Sequence, residues 1–217
     1  MSRRQQIKAQ RVKKQRNNRL ILGIIILAAL VLFGLLVLPN LLPKPTIERP
    51  NAIGMAMGDP NAPVKIEQFS DFRCSHCADY SINMEPDIIK QYIATGKVYM
   101  KYMPFALLGP ASNLAAEAAY CANDQGKFWQ FHDILFANQV NYTTANLVKF
   151  AGEAKADTKT FQTCLESGQY KQKVLDDAAY ATSKKVEGTP SFMVNTRLVY
   201  SNELKGAFEL ELANTVK

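Results

Sequence analysis

Hydrophobic and polar positions change rhythm repeatedly along the chain. Leu20 to Leu38 is a run of 19 residues without a charged or polar side chain. At 1.5 Å per residue it makes about 28 Å of helix, close to the ~30 Å hydrocarbon core of a bilayer. A soluble helix of that length would carry a polar stripe, and this one has none. From Val64 the pattern Val-Lys-Ile-Glu-Gln-Phe-Ser-Asp-Phe predicts a strand running straight into Arg73-Cys74-Ser75-His76-Cys77. Tyr80, Met84, Ile88, Ile89 and Tyr92 then recur at helical spacing over 78–94, and Thr95-Gly96 stops the helix. A second strand is predicted over 98–103, closed by Pro104. Between Pro110 and Lys184 every segment has a helical period: 111–125, 127–138, 144–154, 158–167 and a long one from about Gln169. Gly188-Thr189-Pro190 precedes a hairpin of 191–194 and 197–200, and a last helix starts near Ala207. Its turn, Asn195-Thr196, departs from the Asn-Gly that a tight hairpin prefers and so predicts another turn type. Strand–helix–strand, a block of helices at about 108–186, then hairpin–helix is an α/β order with a helical insertion, not an all-α bundle.

Charge refines the organisation. The chain has 217 residues, 26 Lys+Arg against 19 Asp+Glu, and a net charge of +7. Eight of those basic residues and no acid lie in residues 1–19, whereas from residue 51 onward there are 16 basic and 18 acidic residues. The folded part is slightly acidic, so the overall charge is not a nucleic-acid signal. A basic flank before an apolar span marks the cytoplasmic side. Residues 1–19 are thus expected to be a cytoplasmic tail and 20–38 a transmembrane helix. A cleavable signal peptide would have a shorter apolar core and a small-x-small site; Leu38-Pro39-Asn40-Leu41-Leu42-Pro43 offers none, and no cysteine follows for a lipid anchor. Six prolines between 39 and 63 predict an extended spacer over 39–57, leaving a domain at 58–217 outside the cytoplasm.

Four cysteines are too few for a disulfide-stapled scaffold, so each pair needs its own account. Cys74 and Cys77 sit where a strand gives way to a helix. That spacing puts their sulfurs within disulfide reach, with Cys74 against the open N–H groups and positive end of the helix. The thiolate is favoured there, so the Cys74 pKa should be depressed, and His76 adds to this if it is protonated or donates a hydrogen bond. Stabilising the thiolate stabilises the reduced pair and makes the disulfide a better oxidant. A zinc site would need two further ligands, but Cys121, Cys164 and His132 lie far apart in sequence without a second Cys-x-x-Cys; no metal is expected. Base rates alone would make Pro190 an ordinary loop proline.

Phe69-Ser70-Asp71-Phe72-Arg73-Cys74-Ser75-His76-Cys77, with Ala118-Ala119-Tyr120-Cys121-Ala122, Phe128-Trp129-Gln130-Phe131-His132 and Gly188-Thr189-Pro190-Ser191-Phe192, resembles the DsbA-type thiol:disulfide oxidoreductases over essentially residues 58–216. The resemblance implies a thioredoxin fold with an inserted all-helical subdomain. It implies a cis Pro190 facing the redox pair, Thr189 offering its backbone to the substrate chain, Cys74 as the exposed attacking cysteine and Cys77 as its shielded partner. Glu67 resembles the family's buried acid that handles the proton of the inner cysteine. Ser75-His76 departs from the commoner Pro-His between the cysteines. No cofactor is implied beyond the Cys74–Cys77 disulfide. The implied partners are reduced or unfolded exported proteins and a membrane quinone-linked reoxidant of the DsbB or vitamin-K-epoxide-reductase (VKOR) type.

Phe161, Cys164 and Leu165 share one helical face, and Cys121 lies in an Ala-rich helix, so both thiols should point inward. They could remain buried thiols. Outside the cytoplasm, a leftover pair in one helical block favours a structural disulfide. Trp129 with Phe128 and Phe131 reads as insertion core, and His132 as a partly buried, hydrogen-bonded histidine. The expected function is a membrane-anchored dithiol oxidase. Its rivals are a reductase or isomerase on the same fold and a tethered binding module whose cysteines are only structural.

Overall fold

A computed structural model describes residues 21–34, 47–139 and 142–215. Residues 21–34 are helical. The two ends of the predicted 20–38 span, the tail at 1–19 and the spacer up to residue 46 lie outside the described residues. Among the described residues no helix is long and apolar enough to cross a membrane. The chain divides into two compact units, Met1–Ile47 and Glu48–Lys217. Residues 48–57, expected to end the spacer, belong to the second unit, and Ala56–Met57 forms a short strand, β1.

Four further strands are β2 (Val64–Ser70), β3 (Val98–Pro104), β4 (Ser191–Val194) and β5 (Arg197–Tyr200), in the sheet order β1-β3-β2-β4-β5. β2 and β3 are parallel and the other pairs antiparallel. Between β2 and β3 runs α1, residues 75–93, in which ordinary turns alternate with wider i→i+5 turns at Tyr80–Met84 and Ile89–Ile93. Pro86 lies inside this helix and has no N–H to give the carbonyl four residues back, one cause of the irregularity. The insertion consists of α2 (Pro110–Asp124), α3 (Phe128–Ala137), α4 (Thr144–Glu153), α5 (Thr158–Ser167) and α6 (Lys171–Ser183), and α7 (Leu204–Thr215) closes the chain.

Both faces of the sheet are covered, which decides where each side chain of β2 goes. Phe69 packs with Met103, Ala181, Val186 and Met193 on the side of α6. Residues one position out of phase face α1. In that layer Tyr102 stacks on Phe72 at 5.4 Å and meets Phe128 at 5.3 Å, tying the insertion to the sheet, while Tyr80 of α1 meets Phe192 at 4.7 Å. The hairpin turn is held by its asparagine. Asn195 takes φ 51°, its Oδ1 accepts from the Lys65 N–H at 2.9 Å, and its Nδ2 donates to Glu211 at 2.8 Å. Asparagine tolerates this left-handed conformation, and Thr196, at the position a glycine would take, does not adopt a positive φ, so no glycine is required there.

Candidate active site

Cys74 is the residue at which β-type backbone turns into helix. It has extended angles, φ −74° and ψ 121°, and occupies the N-cap position of α1, where a side chain meets the open amides of the first turn. Its sulfur is half-buried, whereas Cys77 is fully buried. Both are thiols in this structure. The Cys74 pKa is lowered to about 5, first by hydrogen bonding from the Cys77 thiol and further by Thr189 and the backbone N–H groups of Cys77 and His76, against a desolvation cost. Cys77 moves far the other way, because burial penalises its anion and its thiol donates to Cys74. One turn of helix thus separates two chemically equal groups into a ready anion and a held acid.

The loop before β4 completes the site. The Thr189–Pro190 peptide is cis, and the Thr189 carbonyl lies 3.3 Å from Cys74 Sγ. Ser75 and His76 are exposed; His76 serves the sulfur through its backbone N–H.

Glu67 does not meet the expectation attached to it. In a period-two strand it is in phase with exposed Lys65 and faces α6, where the Tyr180 hydroxyl donates to both its carboxylate oxygens at 2.8 and 3.0 Å. It lines an open cleft of about 550 Å³ with Lys65, Lys101 and Lys184, and neither redox cysteine borders that cleft. The buried polar residues of the strand on the cysteine side are Gln68, its neighbour, and Ser70, which are 0% and 2% exposed. Alternation could have found this, since a charge two residues away marks the solvent-side phase.

Two residues that hold the motif carry no local sequence signal of it. Asp71 is buried, and its carboxylate accepts from the Arg73, Leu107 and Leu108 N–H groups and from Ser112 Oγ, all at 2.7–3.0 Å; its carbonyl accepts from the Cys74 N–H at 3.0 Å. Gln139, just past α3, donates to the carbonyls of Phe72 and Cys74, each at 2.8 Å. The insertion therefore grips the turn that presents the cysteines.

Cys121 and Cys164 are disulfide-bonded, with Cα atoms 5.9 Å apart, joining α2 to α5. Trp129 and His132 are buried. His132 Nδ1 pairs with Asp133 at 2.9 Å, and the Arg49 guanidinium reaches Asp133 at 2.6 and 2.9 Å and Glu85 at 3.2 Å. His132, Asp133 and Glu85 bring three potential ligand atoms together, but the arginine already supplies a cation to both carboxylates.

The thioredoxin family pattern matches residues 51–209. A probable disulfide bond formation protein D of Bacillus anthracis is 34% identical over 169 residues, covering 72% of this chain and 77% of that protein. The oxidised crystal structure of BdbD from Bacillus subtilis superposes with a TM-score of 0.69 at 25% identity, over 77% of this chain and 97% of that one. DsbA of Chlamydia trachomatis gives a TM-score of 0.65 at 20% identity, over 78% and 96% of the two chains, a likeness of fold. With a strand–Cys-x-x-Cys–helix site facing a cis-proline loop, the chain belongs to the DsbA-type thioredoxin-fold family and is a protein disulfide oxidoreductase.

Proposed function

We propose that this protein works as an extracytoplasmic dithiol oxidase that introduces disulfides into exported proteins. The observation that carries this reading is the placement of the two sulfurs: half-buried Cys74 occupies the helix start beside the cis-Pro190 loop, where its anion is favoured, and Cys77 is fully buried, where its anion is penalised. A client thiolate attacks Cys74 Sγ of the Cys74–Cys77 disulfide; the client–Cys74 bond forms, the Cys74–Cys77 bond breaks, and its electron pair passes to Cys77. A second client thiolate then attacks the client sulfur of the mixed disulfide, and Cys74 leaves as a stable thiolate. A low-pKa sulfur is a fast leaving group, which favours release of the oxidised client. The Thr189 carbonyl beside Cys74 is placed to pair with the backbone of an extended client.

The enzyme ends each turnover reduced and needs an electron acceptor. A membrane quinone-linked partner of DsbB or VKOR type fits that need. The apolar run 20–38, preceded by eight basic residues, would hold the domain beside such a partner, with the N-terminus in the cytoplasm.

The test is the equilibrium of the full-length protein with glutathione buffers. A potential well above that of thioredoxin, about −270 mV, and towards that of DsbA, about −120 mV, is expected. A value at the thioredoxin end would make the enzyme a reductase.

A further inference from the structure

When a client sulfur attacks Cys74, negative charge develops on Cys77, which is 0% exposed. Anything that stabilises charge there must already be in the protein, since water cannot reach it. The strand beneath Cys77 carries a row of buried polar groups. Ser70 Oγ, both amide atoms of Gln68 and the hydroxyl of Tyr102 are buried, and none makes a direct hydrogen bond in this structure. Gln68 and Tyr102 are register partners on β2 and β3, and Ser70 is two residues beyond Gln68 on the same face. Leaving several donors unpaired in a core is costly, and folded proteins rarely do it without a reason. The Ser70 hydroxyl lies against both Cys77 and Tyr102 and favours the anionic form of each; the Asp71 N–H favours the Cys77 anion as well.

We infer that Ser70 is a catalytic residue that receives the leaving Cys77 sulfur, and that Gln68 and Tyr102 position its hydroxyl. This rests on the redox reading of the pair and deepens it. In the step, the client–Cys74 bond forms as the Cys74–Cys77 bond breaks. The negative charge moves from the client sulfur to Cys77, and Ser70 donates its O–H to that sulfur until Cys77 takes up the proton that the second client thiol gives up. In the reverse, disulfide-forming direction the same hydroxyl steadies the Cys77 thiolate as it attacks. The pocket is neutral where it meets the sulfur. Glu67 faces the other side of the sheet. Besides Cys77 itself, the charges that reach this face are the Asp71 carboxylate, saturated by its own four donors, and Glu85, which is ion-paired with Arg49.

The test uses the full-length protein with Ser70→Ala and Ser70→Thr. Ser70→Ala is expected to slow reduction of the Cys74–Cys77 disulfide by dithiothreitol about tenfold or more, the effect of losing one hydrogen bond to a charged atom. In a Cys74→Ser background it should also move the Cys77 thiol titration, read by alkylation, upward. Ser70→Thr keeps the hydroxyl and should restore both. If wild-type protein is reduced rapidly but Ser70→Ala matches it in rate and in Cys77 titration, Ser70 has no such role while the redox reading stands. Slow reduction of the wild type would instead remove the redox reading itself.

Discussion

The two cysteine pairs of this domain use the same chemical group to opposite ends. Cys74 and Cys77 straddle the first turn of α1 and are thiols, one half-buried and one fully buried. Cys121 and Cys164 are 43 residues apart, lie beyond the first turns of α2 and α5, and are bonded to each other. The first pair meets open helix amides and a carbonyl from a distant loop. The second is embedded among intrahelical hydrogen bonds, with no free amide to favour an anion. Reactivity here follows from the position of a sulfur relative to a helix start and to solvent. The most severe test of that contrast is substitution. Cys74→Ser should abolish thiol oxidation of a reduced protein client, and Cys77→Ser should accumulate client mixed disulfides that are visible on non-reducing gels. Full turnover by the Cys77→Ser enzyme would break the assignment of roles.

Replacing both Cys121 and Cys164 by Ser should have the complementary effect. Thiol oxidation by the folded protein should persist, while the unfolding free energy falls. The chain-entropy model for a 43-residue separation gives about 4 kcal/mol, an upper figure where the unfolded chain keeps structure. Denaturant melts with activity measured on the folded fraction separate the two quantities. Loss of activity without loss of stability would mean that the second pair is not merely a staple.

The next effect is one of pH. With the Cys74 pKa near 5 rather than near the ordinary 8.5, its thiolate fraction at pH 6.5 should exceed that of a free cysteine about a hundredfold. Alkylation of the reduced enzyme should therefore be flat from pH 8 to pH 6 and fall through pH 5. The linkage has a definite sign. A depressed pKa stabilises the folded, reduced protein in full above the unfolded-chain value, and that stability is lost as pH falls through about 5. The oxidised protein lacks this titration, so the reduced form should lose stability relative to the oxidised form over the same interval. An ordinary alkylation profile would collapse the contrast between the pairs.

How much of this was legible depended on the distance over which each feature is determined. The Cys74–Cys77 environment is local: a strand, a turn and a helix start lie within about ten residues, and the pattern shows all three. The helix block and the hairpin follow from periodicity, with ends shifted by only a few residues. β1 has two residues, Ala56 and Met57, too short for any period, and exists because β3 offers an edge. Glu67 lies one step out of phase with the cysteine-side residues of a strand whose two faces are both covered; hydrophobicity at Phe69 and Ile66 points in both directions, and only exposed Lys65 marks the phase. Asp71 acts on residues 36 to 41 positions away, and no local pattern encodes such a reach.

Gln139 reaches further along the chain than Asp71 and offers the subtlest test. It bonds the carbonyls of Phe72 and Cys74 from 65 or more residues away, joining the block that carries the structural disulfide to the turn that carries the reactive one. The Cys74 carbonyl also accepts from the Ala78 N–H at 3.1 Å, so it keeps a partner when the amide is removed. Gln139→Ala should then cost about 1 kcal/mol of stability, the net worth of an ordinary hydrogen bond. Its donors meet carbonyls and not the sulfur, so the alkylation profile of Cys74 should not move. A shift of that profile would show that the insertion tunes the thiolate as well as holding the turn, and the division between a reactive end and a stapled block would no longer be clean.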